Sequence, residues 1–173
     1  MKKLFLTLIA LSAPLCAAEQ AKIGVVNFKM CVEQSQAGKK EQVQFESMKK
    51  QMEQVLEEKD KELNAIASKF NDADYMDSLS AEAEAELKHK FRNSNQEMSA
   101  MQNQYYQALN QANYKVMQGL HDLAAKAAST VAQKKGLTIV LGEESAFFVD
   151  NSLDISKDVI AQMDETFAKE PKQ

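Results

Sequence analysis

The chain has no tryptophan, and its 173 residues include only two prolines, five glycines and two cysteines. Glycine and proline together usually supply roughly 12% of a globular sequence. Both prolines stand near the ends, at Pro14 and Pro171, so nothing between Ala18 and Glu170 is compelled to break a helix. These shortages exclude a loop-rich, collagen-like or disulfide-stapled protein. Beyond the first twenty residues no stretch approaches the ~20 apolar residues of a membrane-spanning helix. With 45% hydrophobic and 27% charged residues, the composition points to a soluble, mostly helical object of one ordinary domain.

The amino terminus reads as an address. Lys2 and Lys3 form a positive start, Leu4 to Leu11 an apolar run, and Cys16-Ala17-Ala18 a small-residue cleavage site. Leu15 departs from the small-residue–cysteine pattern of a lipidation signal, so the expectation is cleavage near Ala18 and export of a soluble chain. Loss of the two leader lysines takes the formal charge from −4 to −6. Cys31 is then the one cysteine left, either buried or able to bridge chains. It is expected as a small buried hydrophobe near the end of a strand.

Lys22 to Phe28 is β-branched and aromatic, which predicts a strand. Gln36-Ala37-Gly38 interrupts the pattern. From about Lys39 the chain turns charged, and Phe45, Met48, Met52, Val55, Leu63, Ile66 and Phe70 recur at helical spacing. Asn71 to Ser80, rich in Asp, Asn and Ser, interrupts again. Ser80 with Glu82 signals a second helix start, and Gly136 its stop. Two long helices joined by a short polar tip predict an antiparallel hairpin. A turn near residue 75 would set Leu63 near Leu87, Met52 near Met98 and Phe45 near Tyr105. The acidic stretch Glu57–Glu62 would then face the basic stretch Lys88–Asn93, either as weak ion pairs or as an ordinary solvated face.

Leu137–Leu141 and Ala146–Val149 read as two further strands, and Ser156–Ala168 as a short helix. All three predicted strands are apolar on both faces and need cover on both. Residues 19–38 and 136–170 would form a β-rich body, with residues 39–135 as the arm and 71–80 as its tip. The predicted fold is α+β, predominantly α, a long antiparallel helical hairpin on a small β body. One chain cannot close such a sheet, and open apolar edges aggregate, so other copies are expected to complete it. The body residues expected to carry that assembly are Ile23, Val25, Val26, Phe28, Ile139, Val140, Leu141, Phe147, Phe148 and Val149.

No chemistry emerges from the residues. His89 and His121 lack partnering patterns, and the glycines are too scattered for a phosphate loop. Asp72, Asp74 and Asp77 lack the central glycine and terminal glutamate of a calcium loop. No catalytic, cofactor or metal site is expected. A phosphate-binding footprint is also missing: Phe70 to Glu86 carries acids and no base.

Two local runs carry a likeness. Lys22-Ile23-Gly24-Val25-Val26-Asn27 opens the first strand; the second run covers Leu137 to Met163, where an apolar strand leads into a hairpin and then Asn151-Ser152-Leu153-Asp154-Ile155-Ser156, with Asp154 or Ser156 capping a helix that contains Val159 and Ile160. In these runs and in the order of its elements the chain resembles the Skp (OmpH-like) periplasmic chaperones. The resemblance implies a homotrimer in which three chains build one small β-barrel body carrying three helical tentacles around a cavity. It implies a periplasmic protein that holds unfolded outer-membrane proteins in transit without ATP. Members of the family used for comparison are basic, whereas this chain is acidic, so lipid or lipopolysaccharide binding is not carried over.

Met48, Met52, Met98 and Met101, with Tyr105 and Tyr106, are the candidate client-contacting residues of the arm. Methionine is flexible and polarizable, which suits surfaces that accept many sequences. The same side chains could instead fill the seam between the arm helices. Asn93 to Tyr114 carries one charge, Glu97, and is rich in Asn and Gln. A second reading makes the chain a coiled-coil structural or adaptor protein of the cell envelope that binds a folded partner, for which an unbroken apolar seam is expected.

Overall fold

The computed structural model describes residues 21–169; the leader expected over residues 1–18 lies outside them. Strand β1 (Ile23–Val26) is followed at once by helix α1 (Phe28–Gln34). The strand stops early because Asn27 is a strong helix cap, its side-chain oxygen accepting from the Met30 N–H at 2.7 Å. Phe28 therefore begins a helix, which corrects the strand expected through it. Cys31 is fully buried as expected, but on α1 and not near a strand's end.

Ser35 closes α1 and caps α2 (Gln36–Phe70), accepting from the Gly38 N–H at 3.1 Å. What reads as an interruption at Gln36-Ala37-Gly38 is thus a first helical turn. Gly38 is required there, since a Cβ would lie 1.8 Å from the Val32 carbonyl oxygen. Beyond Asn71, Asp72 caps a short α3 (Ala73–Asp77) inside the expected tip. The chain then reverses, and Ser80 caps α4 (Ala81–Lys135), accepting from the Ala83 N–H at 3.2 Å. Glu82 and Glu84 complement the dipole of its first turn. Gly136, at φ 63°, closes the helix in the left-handed conformation glycine tolerates best.

Helices α2 and α4 pack as the antiparallel hairpin that the spacing predicts, and α4 alone is about 80 Å long. Its register differs from the one expected. The reversal comes after α3, so Lys59 meets Glu97, and Phe70 meets Phe91 edge-on with centroids 5.4 Å apart. The pairing of Met52 with Met98 and of the acidic with the basic stretch is displaced accordingly. Met48, Met52, Leu56, Lys59, Leu63 and Ile66 follow one another along the seam of α2. Val55, expected in that row, is 52% exposed, and Leu56 takes its place.

Strand β2 (Ile139–Gly142) pairs in parallel with β1, Ile23 opposite Ile139. Parallel neighbours need a long crossover, and here the whole helical hairpin is that crossover. Two single-turn 3-10 helices, Glu143–Ser145 and Asn151–Leu153, flank Ala146–Val149. Ala146–Val149 bends at Phe147 and pairs with nothing among the described residues, which corrects the strand expected there. Strand propensity measures fit to a half-buried pleated surface, and this chain supplies none beside it. Helix α5 (Ser156–Lys169) then returns across the base of α4. Val26, Cys31, Ala127, Val131, Val159 and Met163 form the core where β1, α1, α4 and α5 meet.

Two outcomes follow from this packing. Gly38→Ala should lower the unfolding midpoint sharply, because backbone has to move, whereas Gly119→Ala, open on all sides within 4 Å, should raise stability by about 0.5–1 kcal/mol. Equal effects in denaturant melts would contradict the close approach at α1. Burial, reinforced by the Asp154 charge, pushes the Cys31 thiol up from 9.0 to about 11. The unfolded thiol ionises first, so its contribution is whole below about pH 9 and is lost as pH climbs toward 11. Alkaline destabilisation in that window should shrink in Cys31→Ala, and rapid thiol labelling of the native protein at pH 8 would refute the burial.

Candidate functional site

Two surfaces stand out, one on the body and one on the arm. The body surface is organised by Asn27. Its backbone N–H donates to Ser156 Oγ at 2.8 Å, and its side-chain amide donates to the Glu143 carboxylate. Ser156 in turn donates from its backbone N–H at 2.8 Å and its hydroxyl at 2.5 Å to Asp154 Oδ1. Those two donors hold the Asp154 carboxyl below its ordinary range. The Ile155 N–H donates to the Val25 carbonyl at 2.9 Å, so β1 is covered on its second edge as well. The run from Asn151 to Ser156 is thus a clasp that ties α5 to β1 and α1.

That clasp leaves β2 as the open edge of the two-stranded sheet. Beside it lies a cleft of about 390 Å³ floored by Ala125, Ala128 and Ala132 of α4 and walled by Phe28, Val140 and Leu141. His121 stands edge-on to Phe28, ring centroids 5.5 Å apart, at its rim. The expected body residues divide here. Val25 and Val26 are buried within their own chain, and Phe28, Val140 and Val149 are partly covered. Ile23, Ile139 and Leu141 are exposed, Phe148 is 84% exposed, and Phe147 is entirely open to solvent.

The arm residues divide as well. Met98 and Tyr105 are buried between α2 and α4, while Met48, Met52 and Met101 are half-buried along the same seam. Burial, then the nearby Glu53 carboxylate, pushes the Tyr105 hydroxyl above its ordinary range. Tyr106, its ring 5.4 Å from that of Tyr105, projects to solvent. Sequence spacing did not single out Val43, Tyr114 and Met117, which are also exposed apolar or aromatic side chains. They fall between the steps of the seam, and that misfit is the available signal; Val55, which matches a step, joins them because Leu56 takes its place in the seam.

Around Tyr106 and Tyr114 the wall is short of charge. Between Glu86 and Asp122 helix α4 carries a single acid, Glu97. Among the described residues no group of three or more His, Cys, Asp or Glu side chains is arranged to hold a metal ion, and no helix is long and apolar enough to cross a membrane. What the arrangement offers is contact: scattered apolar side chains on a helix pair whose α4 member is short of charge over Asn93–Tyr114, and exposed apolar side chains at the edge of the body.

Comparison with known proteins agrees with this architecture. The family model described as outer membrane protein (OmpH-like) matches residues 22–163. A Skp-like protein of Chlamydia muridarum is 41% identical over 170 residues, covering 96% of this chain and 98% of its own length. A Skp-like protein of Chlamydia pneumoniae is 39% identical over 170 residues, covering 98% and 99%. A crystal structure of an OmpH-like outer membrane chaperone from Caulobacter crescentus shares the fold, with a TM-score of 0.77, 12% identity, and coverage of 88% of this chain and 89% of its own. A helical hairpin serving as the crossover of a small parallel sheet, together with these full-length relatives, makes this chain a member of the Skp (OmpH-like) chaperone family.

Proposed function

We propose that this chain is an ATP-independent holdase of the periplasm that binds unfolded outer-membrane proteins between its helical arms and prevents their aggregation. The observation that carries the reading is the arm surface. Val43, Val55, Tyr106 and Tyr114 are each more than half exposed; the tyrosines stand on the charge-poor stretch of α4, and the valines lie among the charged side chains of α2. Fully burying one such side chain is worth ~1.5–3 kcal/mol. Partial burial of several gives an attraction that is weak at each point, tolerant of sequence and reversible without ATP. Met48, Met52 and Met101, half-buried beneath, let the surface adjust to different clients.

The cavity itself requires other copies. The open β2 edge, Ile139 and Leu141 beside it, and the exposed Phe147-Phe148 pair are surface that a stable solitary body would not leave bare. In the proposed homotrimer these groups meet across subunits and the arms stand around a shared space; the number three comes from the family. No nucleic-acid partner, cofactor or catalytic step enters this reading. The acidic charge of the chain argues against direct binding to anionic lipid or lipopolysaccharide.

A second reading, an envelope adaptor whose arms grip one folded partner, draws on the seam. On α2 its steps from Met48 to Ile66 are apolar apart from Lys59, more continuous than the charged run at residues 57–62 implies. Dilution of an unfolded β-barrel protein from urea separates the two. The holdase should suppress light scattering near stoichiometric ratios. Val43→Ser, Tyr106→Ser and Tyr114→Ser combined should weaken protection several-fold while helicity and native mass stay unchanged. Absence of suppression at molar excess would overturn the holdase, and undiminished protection by the triple variant would move the client surface elsewhere.

A further inference from the structure

Lys59 is unlike the other lysines of the arm. It occupies a seam position between Leu56 and Leu63, where the pattern calls for an apolar side chain. Its side chain is 25% exposed, against 43% or more for every other ion-paired lysine among the described residues. Its Nζ lies 3.0 Å from Glu97 Oε2 on α4 and 3.3 Å from Glu62 Oε2 on its own helix. Among the described residues this is the one ion pair that joins α2 to α4; Lys49, Lys61 and Lys88 pair within their own helices.

Its partner is equally singular. Glu97 is the lone charge from Asn93 to Tyr114, and the nearest other acids on α4 are Glu86 and Asp122. We propose that the Lys59–Glu97 pair sets the register of the two arm helices, so that one sliding position is held against its neighbours.

The remainder of the seam discriminates poorly. Methionines at 48, 52, 98 and 101 accept altered neighbours, and apolar residues recur every three or four positions on both helices. A slip of one heptad therefore brings apolar onto apolar again. Lys59 is the charged side chain of the α2 seam that notices the change. Moved one heptad along α4 it faces Lys90 in one direction, a like charge, and Gln104 in the other, which cannot neutralise it. A half-heptad slip sets it against Asn93 and Ser94, or against Ala100 and Met101. A polar residue at one seam position is an effective register device because every wrong alignment costs Lys59 its cross-helix partner and leaves it, half-buried, with Glu62 of its own helix alone. The native alignment also sets which side chains of α2 and α4 share the outer wall, Val55 and Tyr106 among them.

Distance measurement between nitroxides tests this directly. Labels go on ketone-bearing non-natural residues at the exposed positions Val55 and Gln102, which leaves Cys31 untouched, and labelled protein is diluted with unlabelled protein to isolate distances within one chain. The native chain should give one narrow distance. Lys59→Met and Glu97→Gln should each add a second population, displaced along the arm by about 10 Å for a heptad, with helicity retained. The swap Lys59→Glu with Glu97→Lys should return a single distance. An unshifted single distance in both Lys59→Met and Glu97→Gln would overturn the proposal, and Glu97→Gln decides alone if the methionine variant fails to fold.

Discussion

The structure depends on how little of a very long helix its own chain can cover. Helix α4 spends its last third in the core, where Ala124, Ala127 and Val131 pack against Cys31, Val159 and Met163. The rest projects away with only α2 for company, and a helix pair can bury one stripe of each member and no more. Everything else follows from that division. The small body holds one end rigid, and the arm has a narrow seam and a broad wet surface. Three strands' worth of apolar sequence ends up with two short strands to occupy.

Much of this was legible from spacing. The hairpin, its serine and glycine stops, and the terminal helix all leave periodic or capping signals that act within a few residues of where they are read. The misreadings share a cause, which is that a local signal met a competing one. Phe28 continues a β-like run, yet Asn27 just before it is a better cap than a strand residue. Val55 matches a helical step as well as Leu56 does, and only the partner helix chooses between them. The register moved because α3 adds a turn inside a segment whose Asp and Asn content reads as loop, when Asp72 is in fact its cap.

The candidate site was half legible for the same reason. Apolar content pointed to Met98 and Tyr105, but apolar residues at seam spacing are drawn into the seam, and the wall is made by the ones that miss it. Tyr106 was identified because it adjoins Tyr105; Val43, Tyr114 and Met117 were not, since nothing marks an exposed side chain except its failure to fit. On the body, the run Ala146–Val149 has strand chemistry without a strand partner. Its propensity describes a surface that one copy does not possess, and that mismatch is the strongest pointer to assembly in the molecule.

The central claim is that the exposed body edge, with Leu141, Phe147 and Phe148, is covered by other copies of the chain. The absolute mass of the chain in solution, by light scattering after size exclusion at several concentrations and with reductant present, tests it most directly. A concentration-independent trimer that survives reductant is the predicted result, with Cys31 uninvolved. A stable, soluble monomer across the same range would contradict the account, since the open strand edge and its phenylalanines would then need no cover at all.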